Sequence, residues 1–123
     1  MKQPDYVSIY RGQEQLFFRV KMANRFFSRL RGFMFYSEWP GFDGLLLYPC
    51  RSIHMFWMQF PLDVLYLDRE GRVIHVIAHI RPNQTGPSIQ GSSYVLEIPT
   101  GKARALGVAV GQILRWEQEK LSV

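Results

Sequence analysis

Cys50 and His54 most directly suggest chemistry in this chain, because a thiol beside an imidazole is the usual arrangement of a cysteine nucleophile and its base. Both lie in the stretch from Pro49 to Gly71, which also holds Asp63 and a Phe-Trp-Met run. The stretch has the composition of paired strands, and in a strand residues four apart are separated by ~13 Å between Cα atoms. An intra-strand pair of Cys50 and His54 is therefore excluded.

A histidine for Cys50 could instead come from a neighbouring strand, where His75 or His79 would serve if the sheet order placed it opposite the thiol. An enzyme using Cys50, a histidine such as His54, and Asp63 is thus one hypothesis. The chain has no glycine-rich elbow and no recognisable triad pattern to support it. We favour the alternative, in which Cys50 is a small buried thiol with a packing role.

The same residue types bind metals, but their spacing argues against a metal site. His75 and His79 share a predicted strand face, yet ~13 Å separates their Cα atoms, whereas one ion needs its ligands at roughly 2 Å. The sequence contains no H-x-H or C-x-x-C pair. We predict neither a metal nor a cofactor.

Two acidic residues, Asp63 and Glu97, lie in otherwise apolar segments and need partners. A carboxylate left unpaired beside a buried strand costs on the order of several kcal/mol. An arginine such as Arg51 or Arg31 could pair with Asp63, and we favour this structural role over ligand binding.

Aromatic residues are abundant, with six Tyr, nine Phe and three Trp. The run Phe56–Met58 alternates between the faces of one predicted strand, so it is entirely interior only if both faces are covered. Either these side chains fill a small barrel, or some line a groove suited to a small ligand or an extended peptide. The residues predicted to bind such a ligand are His54, Trp57, Met58, Asp63 and Arg51.

Short strands would position these residues. The pattern predicts an opening hairpin over residues 6–20 and a short basic helix over residues 24–31, then a strand at residues 45–48. A meander of three strands should follow, at about residues 52–59, 62–68 and 73–80, with Ile74, Val76, Ala78 and Ile80 on one face.

Beyond the meander we expect a mobile surface loop over residues 82–93 and a strand over residues 94–98. Thr100 should cap one or two helical turns over residues 101–106, and residues 113–116 should form the last strand. The fold class predicted is mainly β (α+β), a small antiparallel, partly open β-barrel or sandwich with one or two short helices.

The 123 residues, 47% hydrophobic and 20% charged, predict a single domain over residues 1–123 that buries roughly two-thirds of its unfolded surface. No apolar run approaches the roughly 20 residues of a membrane span, and no export signal is evident. We therefore expect a soluble, cytoplasmic protein, as a monomer or a weak dimer.

The net charge of +5 comes from residues 1–31, which hold seven Lys/Arg against two acidic residues. Such a basic third could bind nucleic acid, or it could simply be a solvated surface. The chain has no ribonucleoprotein signature, zinc finger or helix-turn-helix pattern, so nucleic-acid binding is the less favoured possibility.

Three segments between about Ala23 and Leu114 together resemble family 192 of the domains of unknown function, a prokaryotic group. They are an Arg-x-x-Gly-hydrophobic-Met segment, an aromatic-aromatic-Met run with a following Leu-Asp, and a Glu-hydrophobic-Pro-x-Gly element; in this chain these are RLRGFM (29–34), FWM (56–58) with LD (62–63), and EIPTG (97–101). The chain has Gln59-Phe60-Pro61 where many members have Lys-Asn-Thr. The resemblance implies a compact, β-rich fold resembling a barrel and no established activity.

The function predicted is a non-catalytic accessory module that binds a small ligand or a protein through an aromatic-lined groove. The enzyme using Cys50, a histidine and Asp63 is the first alternative, and nucleic-acid binding through the basic N-terminal third is the second.

Overall fold

The computed structural model describes residues 6–23, 41–52 and 59–118. Within these ranges the chain forms one seven-stranded sheet and one short helix, which confirms the predicted mainly β fold. The elements are β1 (Tyr6–Arg11), β2 (Glu14–Ala23), β3 (Gly44–Leu47), β4 (Leu62–Leu67), β5 (Val73–Ile80), β6 (Tyr94–Pro99), α1 (Lys102–Ala105) and β7 (Arg115–Gln118).

The strand order is β5-β4-β6-β3-β2-β1-β7, and every pairing is antiparallel except β2 with β3. The two ends of the sheet approach each other where Arg72 bridges Ile113 and where the Val73 amide donates to the Gln112 carbonyl. The sheet therefore curls into a partly open barrel, as predicted.

The predicted opening hairpin is confirmed by β1 and β2, and the pairing of β4 with β5 confirms the second half of the meander. The first pairing of the meander is wrong, because the other neighbour of β4 is β6 rather than the segment before Phe60. The helix predicted over residues 24–31 lies outside the described residues, as do residues 53–58 of the first meander strand.

Side chains alternate between two apolar clusters on the two faces of the sheet. The inner cluster, inside the barrel, comprises Val7, Ile9, Leu16, Phe17, Val20, Leu46, Leu65, Leu67, Val73, Leu96, Ile98, Ala103, Val108 and Leu114. The outer cluster comprises Ala23, Leu45, Leu47, Leu62, Val64, Tyr66, Ile80 and Val95. Because both clusters draw on β4, every residue of that strand is buried, which agrees with the apolar run Val64–Leu67.

The prediction that Ile74, Val76, Ala78 and Ile80 share one face is wrong. Val76 packs against the inner cluster, whereas Ile74 packs against the outer cluster, to which Ile80 belongs. The register between β4 and β5 shifts twice, and each shift places one extra residue on β5. An extra residue reverses the alternation of faces beyond it.

The segment over residues 82–93 is a loop, as predicted, and it contacts the sheet at defined points. The Tyr66 hydroxyl donates to the Pro87 carbonyl at 2.9 Å, and the Ser93 amide donates to the Leu67 carbonyl at 2.8 Å. The last strand begins at Arg115, two residues later than predicted, and Ile113 makes only an isolated bridge.

Candidate functional site

Glu97 lies at the centre of the outer face of the sheet. It pairs with Leu45 on β3 and with Val64 on β4, both members of the outer cluster. The same row of paired positions extends across six strands through Tyr6, Lys21, Leu45, Glu97, Val64 and Ile77. An acidic side chain thus lies between apolar residues on both neighbouring strands.

The Glu97 carboxyl group is buried, with 5% of the residue exposed. No residue in the described part of the chain donates a hydrogen bond to this group or forms an ion pair with it. Burial raises the pKa of Glu97 from 4.5 to about 8. At neutral pH the group is therefore mostly a neutral acid, which can donate one hydrogen bond and accept others.

Lys21 lies in the same row as Glu97, two strands away, at ~10 Å between Cα atoms. Its ammonium group lies 5.8 Å from the centre of the Phe42 ring, and no ion pair joins it to Glu97 within the described ranges. Phe42 itself packs against the outer cluster. The positive charge in this row thus lies beside an aromatic ring and does not pair with Glu97.

Tyr66 and His75 form the adjacent row on the same face, paired across β4 and β5. Their rings meet edge to face with centroids 5.5 Å apart. Burial raises the pKa of Tyr66 to about 12, with smaller contributions from Cys50 and Glu97. Among the described residues, the titratable groups of Cys50, Tyr66, His75 and Glu97 therefore lie on or beside the outer cluster.

Cys50 packs against the outer cluster from the loop after β3. Its thiol donates to the Ser52 carbonyl at 3.1 Å, and its backbone is bonded to Ser92 and Ser93. Since Ser93 in turn is bonded to Leu67, Cys50 lies near the C-terminal end of β4.

Asp63 lies at the opposite end of β4 and on the opposite face, where it is 1% exposed. One carboxylate oxygen accepts from the His79 amide at 2.9 Å and from the Thr100 hydroxyl at 3.5 Å. The other accepts from the Gly101 and Ala103 amides, each at 3.0 Å. The Asp63 carboxylate therefore caps α1 and ties it to the β5 bulge.

Two predictions about this end of the barrel are corrected by these contacts. Asp63 does not pair with Arg51, because its described donors are backbone amides and a hydroxyl. Thr100 does not cap the helix: Gly101 occupies the cap position without a side-chain cap, and Asp63 supplies the acceptor. The Thr100 hydroxyl instead lies 2.9 Å from His79 Nδ1.

Cys50 and Asp63, the two described residues of the predicted enzyme site, lie far apart. They lie near opposite ends of β4, whose length from Asp63 to Leu67 is ~13 Å, and they contact different clusters. His54, Trp57 and Met58 lie outside the described residues, and Arg51 is an exposed loop residue. The aromatic-lined groove stays a prediction.

The sequence indicated Glu97 only as a carboxylate in need of a partner and Tyr66 only as a strand residue. It suggested His75 as a base for Cys50 or a metal ligand, and not as a neighbour of Tyr66. Period-two alternation could have placed Val64 and Tyr66 on one face of β4. The pairing of Val64 with Glu97 and of Tyr66 with His75 depends on strand order and register, which the sequence does not show.

No group of three or more His, Cys, Asp or Glu side chains within the described ranges could hold a metal ion. Among the described elements, no helix has the length and apolar character needed to cross a membrane.

The sequence is similar to one protein family and to several known proteins. The DUF192 family, described as uncharacterized ACR, matches residues 7–116. A UPF0127 protein of Thermococcus sibiricus is 33% identical over 107 residues, covering 83% of this chain and 68% of that protein. A UPF0127 protein of Pyrococcus abyssi is 32% identical over 103 residues, covering 80% of this chain and 86% of that protein.

Two crystal structures share the fold. A protein of unknown function from Novosphingobium aromaticivorans has a TM-score of 0.78 and 25% identity, covering 90% of this chain and 84% of its own. A candidate transcription regulator from Sinorhizobium meliloti has a TM-score of 0.72 and covers 93% of this chain and 94% of its own. At 19% identity, the second likeness shows the fold alone.

Proposed function

This chain belongs to the DUF192 family of uncharacterized proteins, and we propose that it is a non-catalytic binding module that takes a small ligand on its outer face. The observation that carries this proposal is the buried Glu97 carboxyl group, which has no partner among the described residues. Ligand sites are mostly apolar and contain a few polar groups that orient the ligand. Glu97 among Leu45, Val64 and their neighbours matches that description.

Asp63 and Glu97 are both buried carboxyl groups, but they differ in the hydrogen bonds they receive. A buried carboxyl group with a structural role is expected to be saturated with hydrogen bonds, and Asp63 has four donors. Glu97 has the desolvation cost, and no described residue compensates it, although an apolar residue would pack at this position. A partner supplied by a ligand accounts for an acidic residue at position 97.

The described loops supply aromatic and apolar side chains around this face. Phe42 and Phe60 are partly exposed and pack against the outer cluster. We propose that a ligand reaches Glu97 by displacing such side chains, and that Trp57, Met58 and His54 complete the groove. In this proposal Arg51 lies at the rim, and Glu97 takes the role of the polar anchor first considered for Asp63.

The alternative functions receive less support from the described geometry. An enzyme using Cys50 and Asp63 would need groups that lie on opposite faces of the sheet. Single-stranded nucleic acid would bind by stacking its bases on aromatic rings. The Tyr6 ring already contacts a cation, because the Arg19 guanidinium lies 4.0 Å from its centre. Arg11 is in addition paired with Glu14.

Methyl-resolved NMR tests the proposal directly. The protein would be titrated separately with hexylamine, 1-hexanol, hexanamide and hexanoate, which share a six-carbon body. We expect at least one probe to shift the methyl signals of Leu45, Val64 and Val95 saturably, while those of Val7 and Ile9 in the inner cluster stay unchanged. The proposal fails if none of the four probes shifts the outer-cluster methyl signals, or if both clusters respond alike. If the four probes have no effect and only an added peptide produces saturable shifts, the partner is a protein instead.

A further inference from the structure

We propose that the ligand carries a primary ammonium group on an apolar body, and that this group pairs with Glu97. This inference rests on the proposed binding role of the outer face and names the chemical class of its ligand. It follows from the one acidic group that the described residues place within the outer cluster, the apolar side chains beside it, and the aromatic rings nearby.

A cation complements this site better than a neutral or an anionic group. Charge attraction is strongest where water is excluded, and Glu97 pairs with apolar residues on both neighbouring strands. A neutral group would recover only hydrogen bonds, and a carboxylate would bring a like charge toward an acid. An ammonium ion therefore gains most from this position.

The aromatic side chains on this face favour the same class of ligand. Tyr66 belongs to the outer cluster, and Phe42 and Phe60 pack against it. Ring faces attract cations, and the protein already uses this contact beside the site, where Lys21 lies over Phe42. A second cation near these rings would use an interaction that the fold already makes.

Within the described part of the chain, the other titratable groups near Glu97 have other partners and do not pair with it. Lys21 on β2 is held over Phe42, and the Tyr66 hydroxyl on β4 donates to Pro87. His75 on β5 lies edge to face with the Tyr66 ring, and the Cys50 thiol donates to Ser52. The expected binding step is therefore ionisation of Glu97, with its proton released to solvent, as the ammonium group enters.

This coupling predicts a pH dependence that distinguishes an amine from the other probes. Since burial raises the pKa of Glu97 to about 8, the ionised fraction rises about tenfold per pH unit below that value. The affinity for hexylamine should thus increase nearly tenfold from pH 6 to pH 7. The affinity for hexanol should not change in this way.

The decisive experiment measures dissociation constants for hexylamine, hexanol and hexanamide at pH 6, 7 and 8 from the outer-cluster methyl shifts. At pH 8 we expect hexylamine to bind more tightly than hexanol and hexanamide. In the Glu97→Gln variant, hexylamine should lose this advantage over the other two probes, and its affinity should no longer depend on pH. Glu70→Gln, which changes an exposed glutamate in the β4–β5 turn, should behave as wild type.

Tighter binding of hexanol or hexanamide at pH 8 would overturn the inference while leaving the proposed function intact. So would a pH-independent affinity for hexylamine, or full retention of its affinity in Glu97→Gln. The absence of any outer-methyl response would instead overturn the proposed function. If Glu97→Gln fails to fold, the wild-type comparison of the three probes over the three pH values still decides the inference.

Discussion

Asp63 and Glu97 lie one register step apart on neighbouring strands, and their carboxyl groups leave opposite faces of the sheet. Asp63 pairs with Ile98 of the inner cluster, and Glu97 pairs with Val64 of the outer cluster. The first carboxyl group accepts four hydrogen bonds, whereas the second accepts none from the described residues. One group stabilises the fold, and we assign the other to ligand binding.

Replacing Asp63 with asparagine should lower the free energy of unfolding by about 2–4 kcal/mol. An amide nitrogen cannot accept a hydrogen bond, so the Gly101 and Ala103 amides or the His79 amide would lose their acceptor, at about 1–3 kcal/mol for each unsatisfied group. Urea denaturation measures the change.

The matched control for this substitution is Asp68→Asn in the β4–β5 turn. There one carboxylate oxygen accepts from both the Glu70 and the Arg72 amides, and an asparagine oxygen can do the same. We expect a change of less than about 0.5 kcal/mol. Equal effects of the two substitutions would contradict the structural role of Asp63.

The stability of the wild-type protein should fall as the pH rises from about 4.5 to about 8, because of Glu97. Its pKa is raised from 4.5 to about 8 on folding, so the folded state binds more protons than the unfolded state in this window. Stability from this group is fully present below the window and is lost as the pH rises through it. The loss is on the order of 5 kcal/mol, at ~1.4 kcal/mol per pKa unit.

Thermal or urea unfolding across this pH range, for the wild type and Glu97→Gln, checks this prediction. The variant should lack the fall, because glutamine does not titrate. A parallel decline in both proteins would assign the pH dependence to other groups.

Replacing Glu97 with methionine should raise the free energy of unfolding at pH 8 by about 1–3 kcal/mol. Methionine has a similar shape and removes the desolvation cost of an unpaired carboxyl group. Glu97→Ala, which leaves a cavity among the same neighbours, should gain less or lose stability. Differential scanning calorimetry compares the variants, and a clear destabilisation by methionine would show that Glu97 has a stabilising partner.

Replacing Gly71 with alanine should cost about 3 kcal/mol or more of stability. Gly71 has a φ of 86°, and an added Cβ would overlap the Leu114 carbonyl oxygen. The backbone has little room to move, because the Leu114 amide donates to the Gly71 carbonyl at 2.9 Å. Backbone strain and steric overlap therefore add at this position.

Gly12→Ala is the control for Gly71→Ala. Gly12 also has a positive φ, 62°, but nothing lies within 4 Å of an added Cβ. Only the conformational cost of about 1 kcal/mol is expected. If urea denaturation gives the two variants the same stability, the contact between Gly71 and Leu114 has no energetic role.

The sequence by itself determined the mainly β fold, the opening hairpin and the family. Alternation of apolar residues is a local property of a strand, so β1, β2 and the pairing of β4 with β5 could be predicted from it. The apolar run Val64–Leu67 in β4 likewise indicates a strand that is covered on both faces. The family follows from segments whose residue types are visible without any structure.

The tertiary structure alone decided which partners the carboxyl groups meet. The donors to Asp63 come from a bulge 16 residues away and from the segment that begins α1, 37 to 40 residues away. An arginine was the only partner that residue types suggested. The bulges of β5 placed Ile74 and Val76 on opposite faces of the sheet. Sheet order placed Glu97 between Leu45 and Val64; such long-range pairings depend on the packing of the whole chain, so local sequence patterns do not specify them.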